Sequence, residues 1–150
     1  MDLELEFTYD AKLAPALVPG PGPYGTRMVM TVVDGQAKGE RISGTLTGAG
    51  ADWAVIGPDG WARLDVRAQI QTDDGAVIYV SYPGLLQLTE KVMEAVQTGT
   101  AGTDFDDQYF RTTPRLETGD ERYAWVNQAV FVGRGRMIPG GVEYEVYRVT

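Results

Sequence analysis

The residues of this chain that could exchange protons are carboxylates and phenols set among strand-forming side chains. Asp52, Asp65 and Glu117 are candidate bases, and Tyr79 or Tyr123 could return the proton. Arg67 and Arg111 could hold an anion, because a planar guanidinium matches a carboxylate or a developing oxyanion. Neither histidine nor cysteine occurs in the 150 residues. A Ser-His-Asp or Cys-His nucleophile system therefore cannot be built within the chain, and zinc held by nitrogen or sulfur is ruled out. Any metal would have to be a hard cation on oxygen ligands, and no metal or other cofactor is expected. A Schiff base on Lys12, Lys38 or Lys91 is possible chemistry without further support in the sequence.

Which of these groups can meet depends on strand faces. From Trp61 to Gln71, alternation puts Arg63, Asp65, Arg67 and Gln69 on one face and Ala62, Leu64, Val66, Ala68 and Ile70 on the other. If the apolar face is inside, the polar row is a surface ion-pair ladder. If the polar face is inside, Asp65 and Arg67 form a buried site. Tyr79 and Ser81 share one face and Ile78, Val80 and Tyr82 the other, so one tyrosine at most looks inward, and Tyr79 is taken as that one. Pro114 kinks the chain between Arg111 and Glu117, leaving open whether they act on a ligand or pair with each other structurally. Tyr123, Trp125 and Asn127, read as a strand, share a face that would floor a pocket for a flat or oxygenated ligand or belong to the core. Asp52, beside Trp53, either faces a ligand or caps a turn.

The elements that would position these residues are mostly strands. Leu3, Leu5, Phe7 and Tyr9 alternate with polar residues at one end, and Val142, Tyr144 and Val146 at the other. Turn signals recur at Asp34-Gly35, Gly57-Pro58-Asp59-Gly60, Asp73-Asp74-Gly75 and Pro139-Gly140-Gly141. Short strands at that spacing predict an antiparallel sandwich or barrel. One helix is expected from Leu88 to Gly99, with Thr89 as its cap, Gly99 as its stop, and Val92, Met93 and Val96 packed on the sheet. Ala14 to Gly25, with four prolines, reads as a stiff loop that could bring Tyr24 to a barrel rim.

Several local motifs agree with one another: Ala51-Asp52-Trp53, Leu64-Asp65-Val66-Arg67, Thr72-Asp73-Asp74-Gly75-Ala76, Asp107 to Asn127, and Phe131-Val132-Gly133. Together they resemble the small bacterial β-barrel family called domain of unknown function 3237, from about Asp2 to Val149. The resemblance implies an all-β fold: a closed or nearly closed antiparallel β-barrel with one short helix, forming a single domain over residues 1–150. It places Asp52, Asp65 and Arg67 at family motif positions and implies no general activity.

A formal charge of −8 argues against nucleic acid, whose binding depends on clustered Lys and Arg. No apolar run approaches the roughly 20 residues that span a bilayer, and Met1-Asp2-Leu3-Glu4 lacks the basic start of a signal peptide, so a cytoplasmic protein without a membrane partner is expected. Self-association is expected, its order unspecified. The function that best suits this set is cofactor-independent proton transfer of the isomerase, hydratase or lyase type on a small oxygenated or aromatic molecule inside the barrel. A non-catalytic carrier or sensor of a small molecule, and a structural homo-oligomeric protein, are the alternatives.

Overall fold

The computed structural model describes every residue, Met1–Thr150, and one antiparallel sheet carries the fold. Its strands are β1 (Leu3–Leu13), β2 (Leu17–Gly22), β3 (Gly25–Gly39), β4 (Ser43–Leu46), β5 (Ala51–Ile56), β6 (Trp61–Thr72), β7 (Val77–Gln87), β8 (Phe110–Thr112), β9 (Arg115–Glu117), β10 (Phe131–Ile138) and β11 (Gly141–Val149). Eight of them, β1, β3, β5, β6, β7, β8, β10 and β11, pair in that order and return to β1, so the sheet closes into a barrel. Closure leaves no long unpaired edge among these eight. β4 fills the space beyond β5 between β3 and β6, and β9 continues the line of β8 along β7.

The inside of the barrel is the apolar phase of each strand. On β6, Ala62, Leu64, Val66, Ala68 and Ile70 are buried while Arg63, Asp65 and Arg67 face solvent. Phe7, Ile70, Ile78, Phe110, Phe131 and Val146, from five different strands and the start of β10, are almost fully enclosed. Burying large aliphatic and aromatic side chains contributes roughly 1.5–3 kcal/mol each, which is why this phase outweighs the charged one.

Helix α1 runs over Glu90–Thr98. The Thr89 hydroxyl accepts the Val92 N–H at 3.2 Å, and Gly99, with φ of 66°, donates its N–H to Ala95 at 3.0 Å. No helix is long and apolar enough to cross a membrane.

Three local expectations are corrected. Asp34-Gly35 is no turn but lies within β3; Gly35 is needed there because a side chain would run into the Asp10 carbonyl and Leu46. Ala14 to Gly25 is not a loop throughout: Leu17–Gly22 pairs with β3 as an edge strand, where a proline without a donor is tolerated. The segment Glu121–Gln128 is a 3-10 helix and not a strand. Asp120 caps it by accepting the Arg122 N–H at 2.9 Å, and Tyr123 and Val126, three apart, supply its buried side.

Candidate functional site

The barrel encloses a cavity of about 290 Å³. Of its 21 lining residues, 19 are hydrophobic with the tyrosines included, and the other two are Asp52 and Gln97. α1 contributes Met93, Val96 and Gln97; Met93 and Val96 are 43% and 48% exposed, so the opening lies beneath the helix. Those two side chains, expected as core, form the lip of the cavity. The buried side of α1 is carried by Val92 and Ala95.

Strand geometry brings the polar atoms inside. β5 alternates Asp52, Ala54 and Ile56 toward the cavity, with Trp53 turned outward. Met30, Asp52, Val66 and Tyr82 form a row across β3, β5, β6 and β7, each the register partner of the next. A second row joins Tyr9, Tyr144 and Gly135 across β1, β11 and β10. Gly135 has no side chain because the Phe110 ring lies on it, with ring carbons 2.6 Å from where a Cβ would stand. Phe110 thereby meets Tyr144 edge to face at 5.2 Å, and Tyr144 stacks on Tyr9 at 4.8 Å. Tyr82 completes the group, its ring centre 5.7 Å from that of Tyr144.

Asp52 is only 8% exposed. The β5–β6 ladder runs through Asp52↔Val66 and resumes at Val55↔Arg63, leaving Trp53 and Ala54 without a bridge on that side. In this gap the Asp65 N–H donates to Asp52 Oδ1 at 3.1 Å. Oδ2 has no donor within the protein, and no arginine or lysine lines the cavity. Burial is the main reason that the Asp52 carboxyl is pushed up to about 6, with the nearby Asp65 charge adding to it and the Asp65 N–H opposing. Burial likewise raises Tyr9, Tyr82 and Tyr144 above the ordinary phenol range, and the Asp52 charge pushes the same way. The phenols therefore stay protonated as donors. Tyr9 Oη has no partner in hydrogen-bonding geometry although it is buried beside the other two rings. One cavity thus holds a carboxyl whose acidity burial weakens and phenols that burial keeps protonated.

Of the residues singled out from the sequence, Asp52 lines this cavity and the others do not. Asp65 and Arg67 point outward, 3.9 Å apart and more than half exposed, with the Arg67 guanidinium 5.6 Å from the ring of Trp53. Tyr79 faces away from the cavity and Tyr82 faces in, because Tyr82 shares the apolar phase of Ile78 and Val80. Glu117 is exposed and opposite Tyr79 on the outer face. Arg111 lies over Tyr109 at 5.1 Å and donates to the Phe110 carbonyl, far from any pairing with Glu117. Tyr123 donates its hydroxyl to Asp74 at 2.8 Å, and Asn127 holds the Thr118 backbone through both its oxygen and its nitrogen. Trp125 stacks beneath Arg41 at 3.6 Å, and Tyr24 is 84% exposed on the β2–β3 turn. Tyr82 and Tyr144 are marked in the sequence only by their phase in apolar alternation.

The family model for Protein of unknown function (DUF3237) matches residues 1–149. A UPF0311 protein from Rhodopseudomonas palustris is 32% identical over 149 residues, covering 99% of this chain and 97% of its own. A crystal structure of a conserved protein of unknown function from that organism superposes with a TM-score of 0.87 at 34% identity, covering 100% of this chain and 99% of the other. The structure of a protein of unknown function from Clostridium acetobutylicum gives 0.86 at 27% identity over the whole of both chains. An enzyme from Penicillium herquei shares the fold, with a TM-score of 0.72 at 22% identity over 99% of this chain and 94% of its own. The barrel, matched from end to end by that family model and by relatives of the same length, belongs to the family Protein of unknown function (DUF3237).

Proposed function

We propose that the barrel is a cofactor-independent enzyme that moves a proton on a small substrate held in the cavity, with Asp52 as the base. The observation that carries this reading is the Asp52 carboxylate: buried, with one oxygen held by the Asp65 N–H and the other without a donor, in a cavity otherwise built from apolar side chains, phenols and the Gln97 amide. Keeping such a group ionised costs stability, and a general base works best when its pKa lies near the working pH. Asp52 would take a proton from a carbon next to a carbonyl, the electron pair moving onto the carbonyl oxygen. The Tyr82 and Tyr144 hydroxyls would donate to that oxygen as charge develops. Return of the proton at another carbon is isomerisation; departure of a neighbouring group is elimination. That an enzyme occurs on the same fold is compatible with this reading, though the likeness extends only to the fold.

The test is proton NMR in deuterated buffer against pools of ketones, lactones, hydroxy acids, keto acids and phenols. Enzyme-dependent exchange at a carbon acid is expected, with a rate that rises with pH through about 6 as Asp52 ionises. Asp52→Asn should abolish it. Ligand line broadening with no exchange in any pool would move the function to carriage or sensing.

A further inference from the structure

The chain contains five methionines, and all four beyond Met1 line the same cavity. Met28 and Met30 come from β3, Met93 from α1 and Met137 from β10, so the convergence is produced by the fold and not by local sequence. Methionine is unbranched and polarizable and adapts to the shape of what it meets. Rigid aromatic walls, from Phe110, Tyr82 and Tyr144, stand against these flexible ones. The charge pattern is equally selective. No Lys or Arg faces the cavity, and its single carboxylate would repel an anion in a setting with little solvent to screen it. The selection is directed against negative charge, since an oxygen of Asp52 without a donor and the phenol oxygens can accept hydrogen bonds as well.

Size sets a further limit. About 290 Å³ lies at the lower edge of the roughly 300–1,000 Å³ typical of ligand pockets, too small for a long acyl chain or a nucleotide.

From these observations we infer that the cavity takes a compact, predominantly hydrocarbon molecule without negative charge and carrying a hydroxyl or carbonyl oxygen, gripped by the four methionines and oriented by Asp52, Tyr82 and Tyr144. This deepens the reading of the cavity as the ligand site. It does not require that the ligand be turned over. Anionic acids, sugars and phosphorylated molecules are excluded from it, because each would bury charge or several hydroxyls against unpaired apolar walls. Met93 and Val96 at the lip admit the molecule without a charged gate.

The protein carries its own reporters for the test. With ¹³C at the methionine methyl groups, four internal signals report on the cavity and Met1 serves as an external control, each assigned by single Met→Leu variants. The protein would be titrated at neutral pH with 2-naphthol and 2-naphthoate, which share one hydrocarbon body and differ in charge. The expected result is that 2-naphthol shifts the signals of Met28, Met30, Met93 and Met137 but not Met1, and binds at least about tenfold more tightly than 2-naphthoate. Asp52→Asn should narrow the gap between naphthol and naphthoate. Equal or tighter binding of 2-naphthoate, or naphthol binding that leaves the four internal methyls unmoved, would overturn the proposal. Naphthol binding as expected, with no proton exchange in any substrate pool, would reject catalysis while leaving the ligand class in place.

Discussion

Replacing Asp52 with asparagine should remove activity and raise stability together. The Asp52 carboxyl titrates at about 6 in the fold against 3.8 in an ordinary setting, which corresponds to about 3 kcal/mol of unfavourable interaction in its ionised form. The folded-state value lies above the unfolded one, so the folded protein holds this proton longer. The group therefore imposes no charge penalty below about pH 4, and stability is lost as pH rises from there through about 6, with the full penalty present above that. Asparagine has nearly the same shape, and its Oδ1 can still accept the Asp65 N–H that Asp52 accepts at 3.1 Å. Allowing for relaxation around the site, Asp52→Asn should be more stable than the parent by about 1–3 kcal/mol near pH 8, and the advantage should vanish near pH 4. In a chain of this length each kcal/mol moves Tm by about 2–4 °C. Urea or thermal melts of both proteins across this range would measure it. Because paired carboxylates such as Glu6 and Glu145 weaken at acid pH in both proteins, the quantity of interest is the difference between the two curves. A variant less stable than the parent near pH 8, or a difference that does not change with pH, would refute the argument that Asp52 is an ionised group held at a cost.

Gly135→Ala should destabilise by roughly 1–3 kcal/mol, because the new methyl would press on the Phe110 ring and disturb its contact with Tyr144; denaturant melts and the near-ultraviolet circular dichroism of the aromatic cluster would show it. Arg67→Ala, Arg111→Ala and Glu117→Ala should each change stability by less than about 1 kcal/mol and leave turnover or ligand affinity unaltered, since these side chains lie outside the barrel. A large loss of function in any of the three would relocate the site to the outer face.

Strand alternation and turn spacing made an antiparallel sandwich or barrel legible, the family resemblance pointed to the barrel, and which strand faces lie inside stayed open in the sequence. The structure buries the apolar rows Ala62–Ile70, Ile78–Tyr82 and Val142–Val146, and α1 is bounded as Thr89 and Gly99 indicate. These signals are local: a two-residue period, a cap and a stop act within a few residues of themselves. The polar phase does not supply the cavity's chemistry. Asp65, Arg67, Tyr79, Arg111 and Glu117 face solvent, where charged groups keep their hydration. Tyr82 and Tyr144 lie within the apolar phase, each carrying one polar atom into the cavity. Asp52 was legible as a candidate, but its burial and its altered acidity depend on the gap in the β5–β6 ladder and on β3, β7 and β11 closing around it. Local patterns in the chain marked most strands and the helix α1, but not the edge strand Leu17–Gly22 or the 3-10 helix Glu121–Gln128. Four distant methionines, two tyrosines and one carboxylate meet in one cavity because closing the barrel through β6 and β7 brings together side chains that no local period relates.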